Sequence, residues 1–286
     1  MTDFKPSIAL VTPLKDEIDN IEKFFSNISS QSIPIKCLII VENDSSDGSK
    51  EYLNKLTSIK NVEHFKLINI NFEDTSYRVG KKYATIINTG FQYIQNTPFY
   101  NTLDYIGILD CDVFPEINYY SKLTQFLKNN REIGISSGLT YTKEGKLHIA
   151  DTNFVRGNSR LWKASCFRES GYMIAFTADT VSIALAHLKG WKTETLKSAR
   201  VISREVNVRI ANSRNKGYHA FYRGHTLTYI FFKSLFLIVI KGKFKMGYEF
   251  FVGYVSSWVN RMPRIENKHL RKYFQFYMFN KLIKKY

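Results

Sequence analysis

An apolar run that ends in two carboxylates, Tyr105-Ile106-Gly107-Ile108-Leu109-Asp110-Cys111-Asp112-Val113-Phe114-Pro115, sets the architecture of this chain. A strand covered on both faces reads as continuous apolar sequence rather than as alternation. Open α/β sheets place their ligands at the carboxyl ends of such strands, so Asp110 and Asp112 face a crevice. Paired carboxylate oxygens of this kind suit a hard cation, Mn²⁺ or Mg²⁺, that keeps waters and shares substrate phosphates. The competing reading is a solvated Asp-rich turn into a helix, with Asp112 near the helix start.

Other segments repeat the arrangement. Ser7–Thr12 is a short buried strand that stops at Pro13, followed by the polar loop Leu14-Lys15-Asp16-Glu17. Asp19 or Asn20 can cap the next helix, which runs to about Ser30. Ile35–Val41 is a second strand, closed by the turn-forming cluster Glu42-Asn43-Asp44-Ser45-Ser46-Asp47-Gly48-Ser49. Val62–Ile70 is a third strand, Val79–Ile94 a helix, and the opening stretch the fourth strand. Strands alternating with helices imply parallel βαβ units and a doubly wound sheet. Three strand ends, at Thr12, Glu42 and Asp110, then carry polar loops on one sheet edge. No G-x-G-x-x-G follows the first strand and no G-x-x-x-x-G-K-[ST] occurs, which argues against dinucleotide-binding and P-loop enzymes.

Taken in order, the first loop, the segment VENDSSDGS, YATIINTG and LDCDVFP resemble the family 2 glycosyltransferases over about residues 7–200. The resemblance implies a GT-A (Rossmann-like) fold, a mostly parallel central sheet flanked by helices, and inverting transfer from a nucleotide-sugar donor. It sets Thr12, Pro13 and Leu14 beside the nucleotide base, and Glu42 and Asn43 at the family's paired acids, here with Asn second. Asp47-Gly48 matches a turn with a capping role. Arg78 and Lys81 precede or open the YATIINTG helix, where cations can approach a diphosphate. Asp110 and Asp112 fall on the family's metal- and donor-binding acids.

Further along, Lys163–Phe167 looks helical, and Val181, Ala184, Leu185 and Leu188 mark an amphipathic helix that ends at Gly190. Asp179 sits at its start, where a carboxylate favours the helix dipole. The resemblance gives Asp179 a second role. Similar enzymes carry Glu-Asp here, the Asp being the base for the acceptor hydroxyl, and this chain has Ala178-Asp179. The expected division is a catalytic domain over 1–200, with about 1–115 for the nucleotide-sugar and 116–200 for the acceptor. The α/β pattern runs out after Lys192, and a basic, aromatic, helical region follows over 201–286.

Charge separates the two parts. Residues 1–200 hold 24 Lys/Arg against 22 acids, whereas residues 201–286 hold 17 against 3. Thr226–Ile240 is apolar apart from Lys233 but shorter than the ~20 residues of a spanning helix. Basic residues interleaved with Phe, Tyr and Trp describe helices lying on an anionic membrane surface. Closure over the catalytic domain or oligomer contacts would use the same composition, and nucleic-acid binding is not expected. The membrane reading makes a glycan or lipid-linked molecule the acceptor and surface-glycan assembly the setting. Met1–Pro6 has no apolar run and Cys37, Cys111 and Cys166 lack metal-ligand spacing. Both point to a cytoplasmic chain with reduced thiols, peripheral on the inner face of the cell membrane. Two alternatives remain: a sugar-nucleotide-forming nucleotidyltransferase, disfavoured because Val11–Glu17 has no Gly, and a non-catalytic membrane- or nucleic-acid-binding protein on a degenerate transferase fold, against which the retention of Asp110, Asp112 and Asp179 argues.

Overall fold

The computed structural model describes residues 5–71, 79–147, 154–203 and 213–277. Two compact units are present, one formed by Met1–Ile174 with Ala178–Glu205, the other by Ala175–Thr177 with Val206–Tyr286.

The first unit is an eight-stranded sheet. Its first half alternates β1 (Ile8–Leu14), α1 (Ile18–Ser29), β2 (Ile35–Asn43), α2 (Ser49–Asn54), β3 (Val62–Ile70), α3 (Val79–Gln95) and β4 (Tyr105–Ile108). The second half adds β5 (Val113–Pro115), α4 (Tyr119–Asn129), β6 (Ile133–Tyr141), β7 (Leu161–Lys163), α5 (Ala164–Ser170), α6 (Ala178–Leu188) and β8 (Lys192–Ser203). Strand order is β3-β2-β1-β4-β7-β6-β8-β5. The pairs β3–β2, β2–β1, β1–β4 and β6–β8 are parallel, while β7 runs antiparallel to β4 and β6, and β5 antiparallel to β8.

Period-two alternation divides the core between the two sheet faces. Ile8, Leu10, Leu38 and Ile40 pack with Ile21, Phe24 and Ile28 of α1. Ala9, Val11, Ile39 and Val41 pack with Ile87, Phe91 and Ile94 of α3. Phe91 also meets Trp162, Phe167 and Tyr172 edge-on or tilted, with centroids 4.7–6.0 Å apart. Deleting such a ring typically costs about 3–5 kcal/mol. Gly90 lets α3 approach β1, because a Cβ there would meet Val11 Cγ1 at 2.4 Å. Burial pushes the Cys37 and Cys166 thiols up to about 12, so both are inert packing groups.

Several sequence expectations are corrected. The caps expected of Asp19 and Asn20 are not made; the α1 amide of Ile18 instead donates to Asp47 Oδ2, 2.9 Å away in the next loop. Asp112 precedes a strand, β5, rather than a helix. The α/β pattern does not end at Lys192, because β8 begins there. Its sequence, KTETLKSARVIS, exposes half of its positions and carries an irregular register against β6, so it lacks the apolar run that marks a central strand.

The second unit contains α7 (Ser213–Arg223), α8 (Leu227–Leu235) continued by a π-helical turn over Phe236–Ile240, α9 (Phe244–Val259) and α10 (Lys268–Gln275). Thr226 Oγ1 caps α8 by accepting the Tyr229 amide, and Asn267 Oδ1 caps α10 by accepting that of Leu270. Ala220, Phe221, Ile230 and Tyr254 form its core. Phe176 packs against Tyr218 and Tyr222 at 5.6 and 5.1 Å. Part of the basic-aromatic composition is thereby internal. Arg264 lies 4.2 Å over Phe221 and Arg223 5.6 Å over Phe274, cation–π contacts that keep the guanidiniums against rings.

Candidate active site

The ends of β1 and β2 lie side by side, with Thr12 opposite Ile40 and Leu14 opposite Glu42. Thr12, Glu42 and Asn43 are buried. Glu42 Oε1 accepts the Ser45 amide. Glu42 Oε2, Asn43 Oδ1 and Thr12 Oγ1 have no hydrogen-bond partner among the described residues. Buried polar atoms are rarely left so, and three at the neighbouring ends of β1 and β2 fit a ligand with donors and acceptors, as a nucleobase has. Leu14 is buried and Pro13 half-buried beside them.

The two loops beyond are zipped together. Asp16 Oδ1 accepts the Ser46 amide at 2.8 Å, and the Asp16 and Glu17 amides donate to Ser45 Oγ and Ser49 Oγ, each at 3.0 Å. Asp47 accepts the Ile18 amide with one oxygen and the Ser49 amide with the other, both at 2.9 Å, so it caps α1 and α2 together. Slight burial pushes Asp47 upward, but the hydrogen bonds from Ser49 and Ile18 outweigh it and hold the carboxyl below its usual range. Lys15 Nζ donates to the carbonyls of Asn43 and Asp44 at 3.3 and 3.0 Å.

After β4, the chain stays in the sheet long enough to fix the first acid. The Leu109 amide donates to Val11 and the Asp110 amide to Asn158, then Val113 closes a turn onto the Asp110 carbonyl. Asp110 and Asp112 therefore flank one turn. The Tyr83 hydroxyl donates to Asp110 Oδ1 at 2.7 Å. Tyr83 reaches it because it shares a face of α3 with Ile87, Gly90 and Ile94. Burial, then the charges of Asp110 and Asp179, raise Tyr83 well above the ordinary phenol range, so it remains a neutral donor. Lys81 lies in the first turn of α3. Arg78 falls outside the described residues.

Asp179 occupies the first turn of α6. The buried Arg160 guanidinium anchors that turn: Nη1 donates to the Asp179 carbonyl at 2.9 Å and to Ser182 Oγ at 2.6 Å. Nη2 donates to the Val155 carbonyl at 2.8 Å and Nε to that of Arg156 at 3.0 Å. The guanidinium also lies 5.2 Å over Trp162. Burial lowers its pKa, while the charge of Asp179 pulls it back up. Asp179 Oδ1 is buried with no partner among the described residues. The Tyr172 hydroxyl is equally without one, and burial followed by Asp179 raises it, with Asp110 adding to the effect. Asp110 and Asp179 thus act on the same two buried phenols, which brings them into one site. Tyr83, Arg160, Tyr172 and Gly157, against whose backbone the Asp179 carboxylate packs, are the additions to the site read from sequence. Only the helical spacing of Tyr83 gave any signal.

Among the described residues, no three His, Cys, Asp or Glu side chains group to hold a metal ion. Two carboxylates on one turn fit a hard cation that takes its other ligands from diphosphate and water.

Residues 9–185 match the family model described as glycosyl transferase family 2. The chain belongs to that family. Family membership favours glycosyl transfer over the nucleotidyl transfer and pure binding roles that the sequence left open. No curated relative matches the chain by sequence. Similar solved structures share the GT-A fold. The mannosyltransferase PcManGT from Pyrobaculum calidifontis, in complex with GDP-Man and Mn²⁺, is 12% identical with a TM-score of 0.54, the match covering 99% of this chain and 88% of that one. S. aureus TarS 1–349 in complex with UDP-GlcNAc is 10% identical with a TM-score of 0.52, covering 98% and 81%. Against the longer TarS chain the TM-score is 0.51 at 10% identity, and the match covers 70% of this chain but spans 37% of TarS. At these identities the likeness concerns the fold.

Proposed function

We propose that this family 2 glycosyltransferase moves a sugar from a nucleotide-sugar donor to a hydroxyl of a glycan or lipid-linked acceptor, with inversion, in surface-glycan assembly. The observation that carries the proposal is the pairing of Asp110 and Asp179 across one buried tyrosine pair, one acid held by Tyr83 and the other with an oxygen that has no partner among the described residues.

Each residue then has a task. Thr12, Glu42 and Asn43 meet the base, with Pro13 and Leu14 bordering it. Lys81, and Arg78 on the sequence reading, stand where cations meet the diphosphate. Asp112, with Asp110 assisting, would hold Mn²⁺ or Mg²⁺, whose charge offsets that developing on the leaving nucleoside diphosphate. Asp179 takes the proton from the acceptor hydroxyl as its oxygen attacks the anomeric carbon opposite the leaving group. One displacement inverts the centre through an oxocarbenium-like transition state.

The test is Asp179→Asn assayed across a panel of nucleotide sugars. Donor affinity by calorimetry should be unchanged while transfer falls by at least ~10²-fold, the contribution of a positioned base. Parallel loss of both would make Asp179 a structural cap.

A further inference from the structure

In the second unit, α8 and α9 form a helical hairpin whose root and tip differ in character. At the root, Ile230 and Tyr254 are buried, and the Tyr254 hydroxyl donates to the His225 carbonyl at 2.6 Å. Tyr229 stacks on His225 with centroids 4.6 Å apart. The exposed part of the apolar Thr226–Ile240 stretch therefore begins only beyond Ile230. From Phe231 onward most of the large apolar side chains are exposed. Phe232 is 66% exposed, Val239 65%, Ile240 67% and Phe244 68%, with Phe231, Leu235, Phe236 and Tyr248 also exposed. The backbone beneath them is firmly packed, since a Cβ on Gly247 of α9 would meet the Ser234 carbonyl at 2.7 Å and Ile238 Cγ1 at 2.6 Å.

Cations surround this apolar tip. Lys233, Lys241, Lys243 and Lys245 are all exposed, and no acid occurs between Thr226 and Tyr248. We propose that the α8–α9 tip is a docking element for a bilayer carrying anionic lipid. It inserts Phe232, Val239, Ile240 and Phe244 at the headgroup–acyl boundary, and the lysines reach the phosphates around them. Among the described residues no helix is long and apolar enough to cross a membrane, so the tip lies in the interface. The charge pattern selects this occupant. A second copy seated tip to tip would set lysines against lysines, and protein interface cores are depleted in Lys. Aliphatic Val239 and Ile240 give nucleobases no stacking face. The inference does not rest on the sugar-transfer reading.

Co-sedimentation of the full chain with phosphatidylcholine vesicles, with and without phosphatidylglycerol, tests it. The chain should bind the anionic vesicles, bind the neutral ones far more weakly, and be partly released by salt. Lys241→Glu/Lys243→Glu/Lys245→Glu should weaken anionic partitioning by at least ~100-fold, from about fivefold per lysine. Val239→Ser/Phe244→Ser should remove the salt-resistant fraction. Both variants alter exposed positions, so circular dichroism and melting should match the parent. Absence of vesicle binding, or binding indifferent to both variants, overturns the proposal. So does a dimer in light scattering that Val239→Ser/Phe244→Ser dissociates, which would make this face a contact between copies.

Discussion

The carboxylate of Asp179 rests on the backbone of Gly157: a Cβ built on Gly157 would lie 2.2 Å from Asp179 Cγ and from both of its oxygens. A glycine at this place leaves the carboxylate its position, while Arg160 holds the same residue through its carbonyl from within the core. Side chain and backbone of the proposed base are thus fixed by different neighbours.

Gly157→Ala should therefore displace the Asp179 carboxylate without unfolding the chain, since the short Asp side chain can rotate away. Transfer should fall toward the Asp179→Asn level, at least ~10²-fold. Donor affinity measured alongside should stay near the parent's. A variant with full transfer activity would show that the carboxylate does not act from this position.

Tyr83→Phe keeps the ring and removes the hydroxyl that Asp110 accepts. Hydrogen bonds to charged groups contribute about 1.5–3 kcal/mol, so metal-dependent turnover should require a divalent-cation concentration about tenfold higher or more. A metal titration of the rate checks this. An unchanged half-saturation point would separate Asp110 from the cation.

Asp112→Asn should abolish metal-dependent turnover while the melting curve stays close to the parent's, because Asp112 is half-buried in a turn. Near-parent transfer at saturating Mn²⁺ would remove Asp112 from the metal site.

Arg160→Met should cost stability first. It removes the donor to the carbonyls of Val155 and Arg156, each unmet group costing about 1–3 kcal/mol, while the Ser182 hydroxyl still donates to the Asp179 carbonyl. A fall of about 3–5 kcal/mol in urea unfolding is expected. A shift within ~1 kcal/mol would mean that the pocket readily finds other donors.

Acid should weaken the fold through two buried histidines. Burial pushes His187 down to about 4, and burial with the Arg223 charge pushes His225 down to about 3. Both are neutral when folded and bind protons more readily when unfolded, near 6.5. Their contribution is complete above pH 6.5 and is lost as pH falls toward 4 and 3, each amounting to on the order of 2 kcal/mol by about pH 5. Urea midpoints measured against pH should fall over that window, and His187→Gln should flatten part of the slope.

The first half of the sheet is legible in the chain alone, because β1 to β4 are apolar runs broken by turn chemistry and joined by amphipathic helices. The sequence also placed Asp110, Asp112 and Asp179 at element ends, since a carboxylate after a strand or at a helix start leaves a local mark. Tertiary structure alone decided what stands around those acids. Gly157, Arg160 and Tyr172 act through space on residues far along the chain, and no period or motif encodes a close backbone approach or a buried guanidinium. The same holds for β8, whose polar sequence becomes a strand only through its pairing with β6 and β5. In the basic region the sequence supplied cations and rings in mixture. Packing sorted them into Arg223 and Arg264 held over internal rings and an exposed tip of Phe232, Val239, Ile240 and Phe244, because burial depends on which helix faces meet.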